Sequence, residues 1–248
     1  MPNETQQQKE FIIGRNPVSE ALKAGRELNQ LWVARGERGA SLKHIVALAK
    51  ERNIPVKEVD AKKLDFMSNG GVHQGVAAFC AAHRYYSVEE ILQTAEQRGE
   101  APFVIICDEI EDPHNLGAII RTADAVGAHG VIVPKRRSAS LTGVVAKASA
   151  GATEYVKVAR VTNLADTIEL LKRNNLWIYC ADMNGQDYRQ ADYSGGVGLV
   201  VGSEGKGVSR LIRQKCDLTV SLPMKGHINS LNASVAAAVL MYAIADGR

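Results

Sequence analysis

A glycine-rich turn near the carboxyl end of the chain has the composition of a ligand-binding loop. Residues 200–207 read Val-Val-Gly-Ser-Glu-Gly-Lys-Gly and complete an apolar run that begins at Val197. An apolar run bounded by glycines predicts a buried strand. The glycines, Gly202 among them, allow the backbone to approach a ligand closely, and Glu204 is the single acid between them. The turn therefore predicts a backbone-lined pocket at the end of a strand.

A second polar segment lies at the start of a strongly apolar helix. Residues 221–234 read Ser-Leu-Pro-Met-Lys-Gly-His-Ile-Asn-Ser-Leu-Asn-Ala-Ser. The predicted helix Ser230–Ala245 is apolar on almost every face, which is typical of a buried helix. Its first turn nevertheless carries Ser230 and Asn232, which either form a site or belong to a simple cap made by Ser230 or Asn229. Because ligands of an open α/β sheet bind at the carboxyl ends of its strands, we expect both segments to line one site.

The spacing of the glycines disagrees with two common nucleotide-binding loops. A P-loop requires Ser or Thr after its lysine, but Lys206 is followed by Gly207. A dinucleotide-binding fold requires G-x-G-x-x-G directly after its first strand, whereas this turn reads G-x-x-G-x-G after a late strand. A pocket for an adenosine-like ligand is the better interpretation.

A third polar segment follows the all-apolar run Phe103–Cys107, which predicts a central parallel strand. It reads Asn115-Leu-Gly-Ala-Ile-Ile-Arg121, and its apolar residues have helical spacing. Most helical arginines are solvated or paired in salt bridges. Alternatively, the planar guanidinium of Arg121 suits a clamp on a phosphate group. The residue types leave both interpretations open.

These three segments resemble the motifs of the SpoU/TrmH RNA ribose methyltransferases, which belong to the SPOUT class. In chain order and spacing, residues 115–121 resemble motif 1, residues 200–207 resemble motif 2, and residues 221–234 resemble motif 3. The resemblance covers residues 103–245, and residues 11–85 resemble the L30e-like domain that precedes the catalytic domain in one branch. That branch contains the bacterial 23S rRNA guanosine 2′-O-methyltransferases. The resemblance implies S-adenosylmethionine as cofactor, RNA as substrate, a homodimer and a deep C-terminal trefoil knot. The sequence pattern alone predicts an ordinary open sheet, since knots are nearly absent from proteins.

The same resemblance assigns roles to individual residues. Five residues would form the catalytic site: Asn115, Arg121, Glu204, Ser230 and Asn232. Four residues would bind the cofactor: Gly202, Leu222, Met224 and Leu231. Because an arginine is hardly ever deprotonated, a positioning and electrostatic role for Arg121 is physically easier than base catalysis. Methyl transfer from a sulfonium needs mainly in-line positioning, since its leaving group is already activated.

A basic run at another strand end is expected to contact RNA. Lys135, Arg136 and Arg137 follow the predicted strand Val131–Val133. A charge run is usually a solvated face, but the ligand-binding edge of the sheet favours contact with RNA phosphates. The six histidines form no cluster with ligand spacing, so no metal is expected.

Composition indicates a globular protein with room for two domains. The 248 residues are 46% hydrophobic and 23% charged, with a net charge of +3. The four cysteines form no C-x-x-C pair, and the N-terminus has no apolar signal-peptide core. The longest apolar run, Ala233–Ala245, is too short to span a bilayer. We therefore expect a cytoplasmic protein without membrane contact.

The chain divides into four parts on composition and pattern. Residues 1–10 predict a disordered tail, and residues 11–84 predict the small L30e-like α/β domain that binds RNA; residues 1–84 together carry a net charge of +4. Residues 85–100 are acidic and predict a linker with a short helical stretch, Val88–Gln97. Residues 101–248 alternate strands and helices, which predicts an α/β catalytic domain with a parallel sheet.

The leading functional hypothesis is methylation of a ribose 2′-hydroxyl in RNA, most directly a guanosine of 23S rRNA, with tRNA as the runner-up substrate. A non-catalytic RNA-binding or ribosome-assembly protein is a second class, against which the five intact motif positions weigh. A nucleotide-dependent oxidoreductase is a third class, disfavoured by the mismatched glycine fingerprint.

Overall fold

The computed structural model describes residues 10–37, 39–68, 71–80 and 83–248. The predicted disordered tail therefore lies outside the described residues, except for Glu10. The chain forms two compact units. One contains the residues up to Arg84 together with Leu141–Tyr155, and the other contains Tyr85–Ser140 and Val156–Arg248.

Strands and helices alternate along most of the chain. The strands are β1 (Glu10–Ile13), β2 (Leu28–Ala34), β3 (Val56–Val59), β4 (Val76–Cys80), β5 (Phe103–Asp108), β6 (Gly130–Pro134), β7 (Lys157–Val161), β8 (Leu176–Asp187), β9 (Gly196–Gly202) and β10 (Leu218–Ser221). The α-helices are α1 (Arg15–Lys23), α2 (Ala40–Glu51), α3 (Ala61–Met67), α4 (Val88–Arg98), α5 (Pro113–Ala125), α6 (Gly143–Ala148), α7 (Leu164–Arg173), α8 (Arg210–Lys215) and α9 (Ala233–Asp246). No helix in these described ranges is long and apolar enough to cross a membrane.

The first unit is built on a four-stranded sheet in the order β1-β4-β2-β3. Strand β4 runs antiparallel to β1 and β2, while β2 and β3 are parallel. One face of the sheet packs against α1 and α2 through residues such as Leu22, Leu31 and Ile45, which are at most 1% exposed. The smaller helix α3 packs Leu64 against the other face.

A segment from the predicted catalytic domain belongs to the first unit instead. Ala146 on α6 packs into the core beneath α1 and α2. The Arg26 guanidinium is paired with the Glu154 carboxylate at 2.8 Å, and both side chains are largely buried. The Tyr155 hydroxyl donates to Glu20 at 2.7 Å. The predicted boundary at residue 84 therefore needs a correction, because long-range packing assigns 141–155 to the first unit.

The second unit contains a six-stranded sheet in the order β10-β8-β9-β5-β6-β7. Its neighbouring strands are all parallel, which confirms the predicted α/β fold with a parallel sheet. Strand β5 lies between β9 and β6, and all its residues are buried. Asp108 at the end of β5 pairs in register with Gly202 at the end of β9. The carboxyl ends of the central strands thus meet at one edge of the sheet.

The predicted helical stretch is present as α4, but it is not part of a linker, because one of its faces packs into the core of the second unit. Ser87 and Glu90 form a capping box that begins α4. Val88 and Ile91 are buried in the main hydrophobic cluster of this unit. A Cβ atom at Gly130 would lie 2.6 Å from the Cδ1 atom of Ile91, so the helix rests directly on β6. The acidic residues that suggested a linker occupy the exposed face of the helix.

The last helix begins three residues later than predicted, and Asn232 caps it rather than Ser230 or Asn229. The Asn232 side chain accepts hydrogen bonds from the backbone N–H groups of Ser234 and Val235. One face of α9 is buried against the unit through residues such as Leu240 and Met241. The opposite face is apolar but exposed. Its stripe of side chains, 39–52% exposed, consists of Val235, Val239 and Tyr242.

Candidate active site

Three polar side chains from distant parts of the sequence form one hydrogen-bond network at the carboxyl edge of the large sheet. The Asn115 Nδ2 atom donates to Glu204 Oε1 at 2.8 Å. The Asn232 Nδ2 atom donates to Asn115 Oδ1 at 3.0 Å and also to Glu204 Oε1. The network therefore joins the first turn of α5, the turn after β9 and the start of α9. It brings together three of the five predicted catalytic residues.

Local sequence explains why each member of the network is held in place. Asp112 caps α5 by accepting from the backbone N–H of His114 at 2.8 Å, and Asn115 is buried in the following turn. Asn232 is fixed through its own Oδ1 atom, which caps α9. Its Nδ2 atom is thereby aimed at Asn115 and Glu204. One amide thus serves both interpretations that the sequence left open, a helix cap and part of a site.

A cleft of about 870 Å³ opens on one side of the network. Its apolar wall includes three of the four predicted cofactor-binding residues, Leu222, Met224 and Leu231. Glu204 lies on its rim, and so do the predicted catalytic residues Ser230 and Asn232. The volume lies within the range of roughly 300–1,000 Å³ that is typical of small-molecule sites.

The cleft also contains polar residues that sequence reasoning missed. Asp182 and Arg213 form an ion pair at 2.7 Å on its wall, and Asn184 is hydrogen-bonded to Asp182 beside them. Strand β8 runs from Leu176 to Asp187, so Asp182 and Asn184 belong to its polar carboxyl half. The polar residues after 181 resemble a loop, so their sequence contained no signal that they extend the strand beside the cleft.

A smaller cleft of about 280 Å³ also adjoins the network. Acidic groups dominate its lining, including Glu109, Glu111 and Asp112. The two clefts share Ser203, Glu204 and Lys206, and Asn115 lines the smaller one. The Glu204 carboxylate therefore stands at the boundary between a large, partly apolar cleft and a small, acidic one.

Gly202 does not line either cleft, and packing rather than ligand contact explains why it is a glycine. A Cβ atom at this position would overlap the carbonyl group of Gly207 and the backbone nitrogen of Val208. The turn folds back on the end of β9, where Ser203 accepts a hydrogen bond from the N–H of Gly207 at 2.9 Å. The cofactor contact predicted for Gly202 stays a prediction, and in the structure the residue shapes the turn that carries Glu204.

We expect Gly202→Ala to lower the free energy of unfolding by about 1–3 kcal/mol, because the added methyl group has no space. The affinity for a ligand of the large cleft should fall as well, since the turn must move. Thermal unfolding and ligand titration on the same preparation measure both effects. Gly226→Ala is the matched control, because nothing lies within 4 Å of its added Cβ and its backbone conformation is ordinary. Equal stability of the two variants would contradict the packing explanation.

Arg121 lies on α5 but lines neither cleft. Its side chain is exposed, and it forms no hydrogen bond or ion pair within the described parts of the chain. Six residues separate it from Asn115, which corresponds to about 9 Å along the helix axis. The structure therefore does not bring Arg121 into the network, and its guanidinium is free to meet an incoming group.

The predicted RNA-binding run follows β6 and is exposed throughout. Lys135 and Arg136 point to solvent. The Arg137 Nη1 atom is paired with Glu109 Oε1 at 2.7 Å, and this hydrogen bond and charge hold the pKa of Arg137 above its ordinary value. Arg137 thus connects the basic run to a residue that lines the smaller cleft.

The described residues contain no group of His, Cys, Asp or Glu side chains arranged to hold a metal ion. Cys107 on β5 precedes Asp108 at the edge that carries the network. Burial, reinforced by the charge of Asp108, raises the pKa of the Cys107 thiol to about 12. It is therefore a thiol at neutral pH and a poor nucleophile.

Comparison with known proteins matches this arrangement to a family. Residues 102–242 match the SpoU rRNA methylase family, and residues 11–86 match the domain described as RNA 2′-O ribose methyltransferase substrate binding. The chain is 49% identical over 239 residues to YacO of Bacillus subtilis (strain 168), a protein assigned to the TrmH family of tRNA/rRNA methyltransferases. That alignment covers 96% of both proteins.

The chain belongs to the SpoU/TrmH family of RNA methyltransferases. Solved structures of SpoU/TrmH proteins have the same fold. AviRb from Streptomyces viridochromogenes, in complex with S-adenosylmethionine, aligns with a TM-score of 0.78 at 23% identity over 98% of this chain and 93% of its own. An rRNA methyltransferase from Sinorhizobium meliloti, also bound to S-adenosylmethionine, aligns with a TM-score of 0.78 at 25% identity, covering 96% of this chain and 87% of its own. S-adenosylmethionine is the methyl donor of the SpoU/TrmH family, so the predicted cofactor class is confirmed.

Proposed function

We propose that this protein methylates a ribose 2′-hydroxyl of RNA at the network of Asn115, Glu204 and Asn232, with a guanosine of 23S rRNA as the leading substrate. The observation that carries the proposal is that Glu204 lines both clefts. A methyl transfer needs a donor and an acceptor on opposite sides of one point. The two clefts offer separate sites for the cofactor and the ribose, and that carboxylate lines both.

The larger cleft fits the cofactor. Leu222, Met224 and Leu231 offer an apolar wall for a nucleoside, and the backbone of the glycine turn lines the opposite part. S-adenosylmethionine supplies a methyl group on a positively charged sulfur, which is activated for transfer without help from a metal. The carboxylates of Glu204 and Asp182 are suited to stabilise that positive charge. The protein mainly orients the two reactants and excludes water.

The smaller cleft fits the ribose better than its phosphates. Carboxylates accept hydrogen bonds from hydroxyl groups, but they repel phosphate oxygens. The Oε1 atom of Glu204 is held by two amides, so the rigid carboxylate can accept from a 2′-hydroxyl through its other oxygen. The phosphates then require cations outside the cleft. Arg121, Lys135 and Arg136 are exposed candidates for that contact.

The first unit is proposed to select the RNA. Its match to a family-specific substrate-binding domain and its local positive charge support this division of labour. Deletion of residues 1–84 is a poor test, because segment 141–155 would lose the core into which Ala146 packs. Point substitutions on the surface of the unit test the assignment more directly.

The decisive experiment is methyl transfer to defined RNAs. Purified protein is incubated with methyl-labelled S-adenosylmethionine and with transcripts of 23S rRNA or tRNA, and the nucleosides are identified by mass spectrometry. We expect labelled 2′-O-methylguanosine from 23S rRNA. Label in tRNA alone would identify tRNA, rather than 23S rRNA, as the substrate. RNA binding with no methylation of rRNA or tRNA would favour the non-catalytic alternative.

The exposed apolar stripe of α9 supports the predicted homodimer. Val235, Val239 and Tyr242 recur at helical spacing, so they present one continuous apolar surface. Such surfaces on soluble proteins mark interaction sites. The stripe lies on the helix whose first residues carry Asn232, so a dimer formed there places two sites near the interface.

We expect the double substitution Val239→Asp/Tyr242→Asp to convert the dimer to a monomer, because two charges would be buried without partners. Light scattering of the full chain measures the mass. Leu211→Asp is the control, since Leu211 is 59% exposed on α8 of the same unit and lies outside the stripe. A wild-type protein that runs as a monomer at micromolar concentration would contradict the proposal.

The knot and the cellular location stay predictions. Strand β10 lies at one edge of the sheet, yet the following helix α9 packs against α5 and β9 nearer its middle. This return of the chain across the cleft supports the trefoil knot that the family resemblance implies. The cytoplasmic location expected from the sequence fits an enzyme that modifies ribosomal RNA.

A further inference from the structure

One face of the sheet in the first unit is only partly covered by the described residues. Helices α1 and α2 cover the opposite face with a large cluster of fully buried side chains. On the first face, α3 contributes Leu64 to a small cluster with Ile13, Ala34, Val59 and Ala77. Phe11 and Trp32 pack at the margin of that cluster and remain partly exposed.

Aromatic side chains lie side by side on this open face. Trp32 on β2 and Phe79 on β4 have ring centres 4.8 Å apart at an interplanar angle of 62°. Phe11 on β1 pairs in register with Phe79, so the three rings run across neighbouring strands. Trp32 is held in orientation by its Nε1 atom, which donates to Gln30 at 2.7 Å. Phe66 on α3 is 88% exposed.

Two lysines surround the tryptophan. The Nζ atom of Lys63 lies 4.6 Å from the centre of the Trp32 ring, and that of Lys57 lies 5.8 Å from it. Neither ammonium group forms an ion pair within the described parts of the chain. The nearby Asp65 is occupied by His73 at 3.0 Å. Phe66 follows Lys63 by three residues, so the two are neighbours on the surface of α3.

We propose that this surface, formed by Trp32, Lys57, Lys63 and Phe66, binds an unpaired stretch of the substrate RNA. Bases stack on the aromatic rings, and the lysine ammonium groups pair with the flanking phosphates. The inference rests on the proposed function and deepens it, because it states which form of RNA the first unit recognises and by which chemistry.

The chemistry favours a single strand over a duplex. The bases of a duplex are stacked on one another and offer no face to a protein ring, whereas an unpaired base has two. A lysine resting over an aromatic ring can swing to a phosphate while a base takes its place, since its four-carbon stem is flexible. Within the described residues, Lys57 and Lys63 have no carboxylate partner, so their positive charges favour an anionic ligand over a protein surface that carries both acidic and basic groups.

Tryptophan fluorescence provides a direct test. The chain has two tryptophans, Trp32 and Trp177, and Trp177 is 56% exposed on β8 of the second unit. In full-length Trp177→Phe protein, Trp32 is the only tryptophan. A single-stranded 12-nucleotide RNA of mixed sequence should quench its fluorescence, and the same RNA annealed to its complement should quench it far less.

Substitutions separate stacking from charge. We expect Trp32→Ala to weaken binding of the single strand by about 10- to 100-fold, and Trp32→Phe to restore most of the affinity. Lys57→Ala/Lys63→Ala should make the slope of log affinity against log salt shallower by about 1 to 1.5. The control Lys43→Ala/Lys50→Ala, on exposed positions of α2 at the other side of the sheet, should leave that slope unchanged if phosphate contact is local. Phe66→Ala should also weaken binding. This variant remains informative if Trp32→Ala does not fold, because the exposed Phe66 side chain contributes almost nothing to packing.

Three binding results would overturn the proposal. They are wild-type affinity in both Phe66→Ala and Trp32→Phe/Phe66→Ala, equal quenching by single-stranded and duplex RNA, and quenching of Trp32 by a protein ligand but not by RNA. Failure of the proposed function can be distinguished from failure of this binding surface. Methylation of rRNA at the wild-type rate by Trp32→Ala would contradict stacking on Trp32 but leave the proposed function intact. Quenching by single-stranded RNA in a protein that methylates no RNA would support the binding surface but contradict the proposed function.

Discussion

Replacement of Arg121 by alanine is expected to slow methyl transfer by about 10²–10³-fold in a single turnover. The guanidinium is exposed and without a partner in the described chain, and it lies on the helix that carries Asn115. If it holds the phosphate or ribose next to the target hydroxyl, its loss removes an interaction that matters most in the transition state. Affinity for S-adenosylmethionine should barely change, because Arg121 does not line the larger cleft.

Arg173→Ala is the matched control, because Arg173 is also an exposed arginine near the end of a helix in the same unit. Arg121→Lys tests the geometry, since a lysine keeps the charge but cannot form the bidentate contact of a guanidinium. If Arg121→Ala and Arg173→Ala transfer the methyl group at the same rate, Arg121 is a surface arginine without a role in the reaction. Loss of cofactor binding by a folded Arg121→Ala protein would instead assign Arg121 to the cofactor site.

Substitution of Asn232 is expected to lower the single-turnover rate by about 10²-fold, because its amide holds both Asn115 and Glu204. Without that donor, the carboxylate of Glu204 keeps one amide partner and gains freedom to move. Asn232 also caps α9, so Asn232→Ala should cost about 1 kcal/mol of stability as well. Single-turnover methylation and thermal unfolding report the two effects.

Asn232→Ser separates the cap from the network. Serine is a good N-cap residue, but it cannot reach across to Asn115 and Glu204 as an amide does. Asn232→Ser should therefore lose as much activity as Asn232→Ala while its melting temperature stays about 2–4 °C higher. A serine variant with wild-type turnover would show that Asn232 serves the helix alone.

The site was partly predictable because local signals precede its members. Glu204 follows a clear strand signal, Asn232 lies at the start of a strongly apolar helix, and parallel strands place their carboxyl ends at one edge of the sheet. Asp182 and Arg213 were missed for the opposite reason. Asp182 lies in a polar continuation of β8 that resembles a loop, and Arg213 lies on a short helix. Only the tertiary structure shows that both line the cleft, where they pair at 2.7 Å.

The domain boundaries show where local patterns fail. The helix at residues 88–98 was predicted, but its acidic composition suggested a linker, whereas Val88 and Ile91 pack into the core of the second unit. Segment 141–155 contains small and apolar residues that would suit either unit. Its assignment depends on contacts with distant residues, such as the pairing of Arg26 with Glu154, which no local pattern can reveal.

The sequence by itself determined the parallel α/β sheet, the family and the positions of its three motifs, because strand and helix periodicity and motif spacing are properties of neighbouring residues. The tertiary structure decided which motif residues meet. Asn115 and Glu204 are separated by 89 positions, and their 2.8 Å hydrogen bond exists only because β5 and β9 are adjacent in the sheet. It also decided that Gly202 shapes the turn through packing, that Arg121 stands outside both clefts, and that one face of an all-apolar helix stays exposed. Burial and contact depend on how distant segments pack, and the order of residues along the chain does not contain that information in a locally readable form.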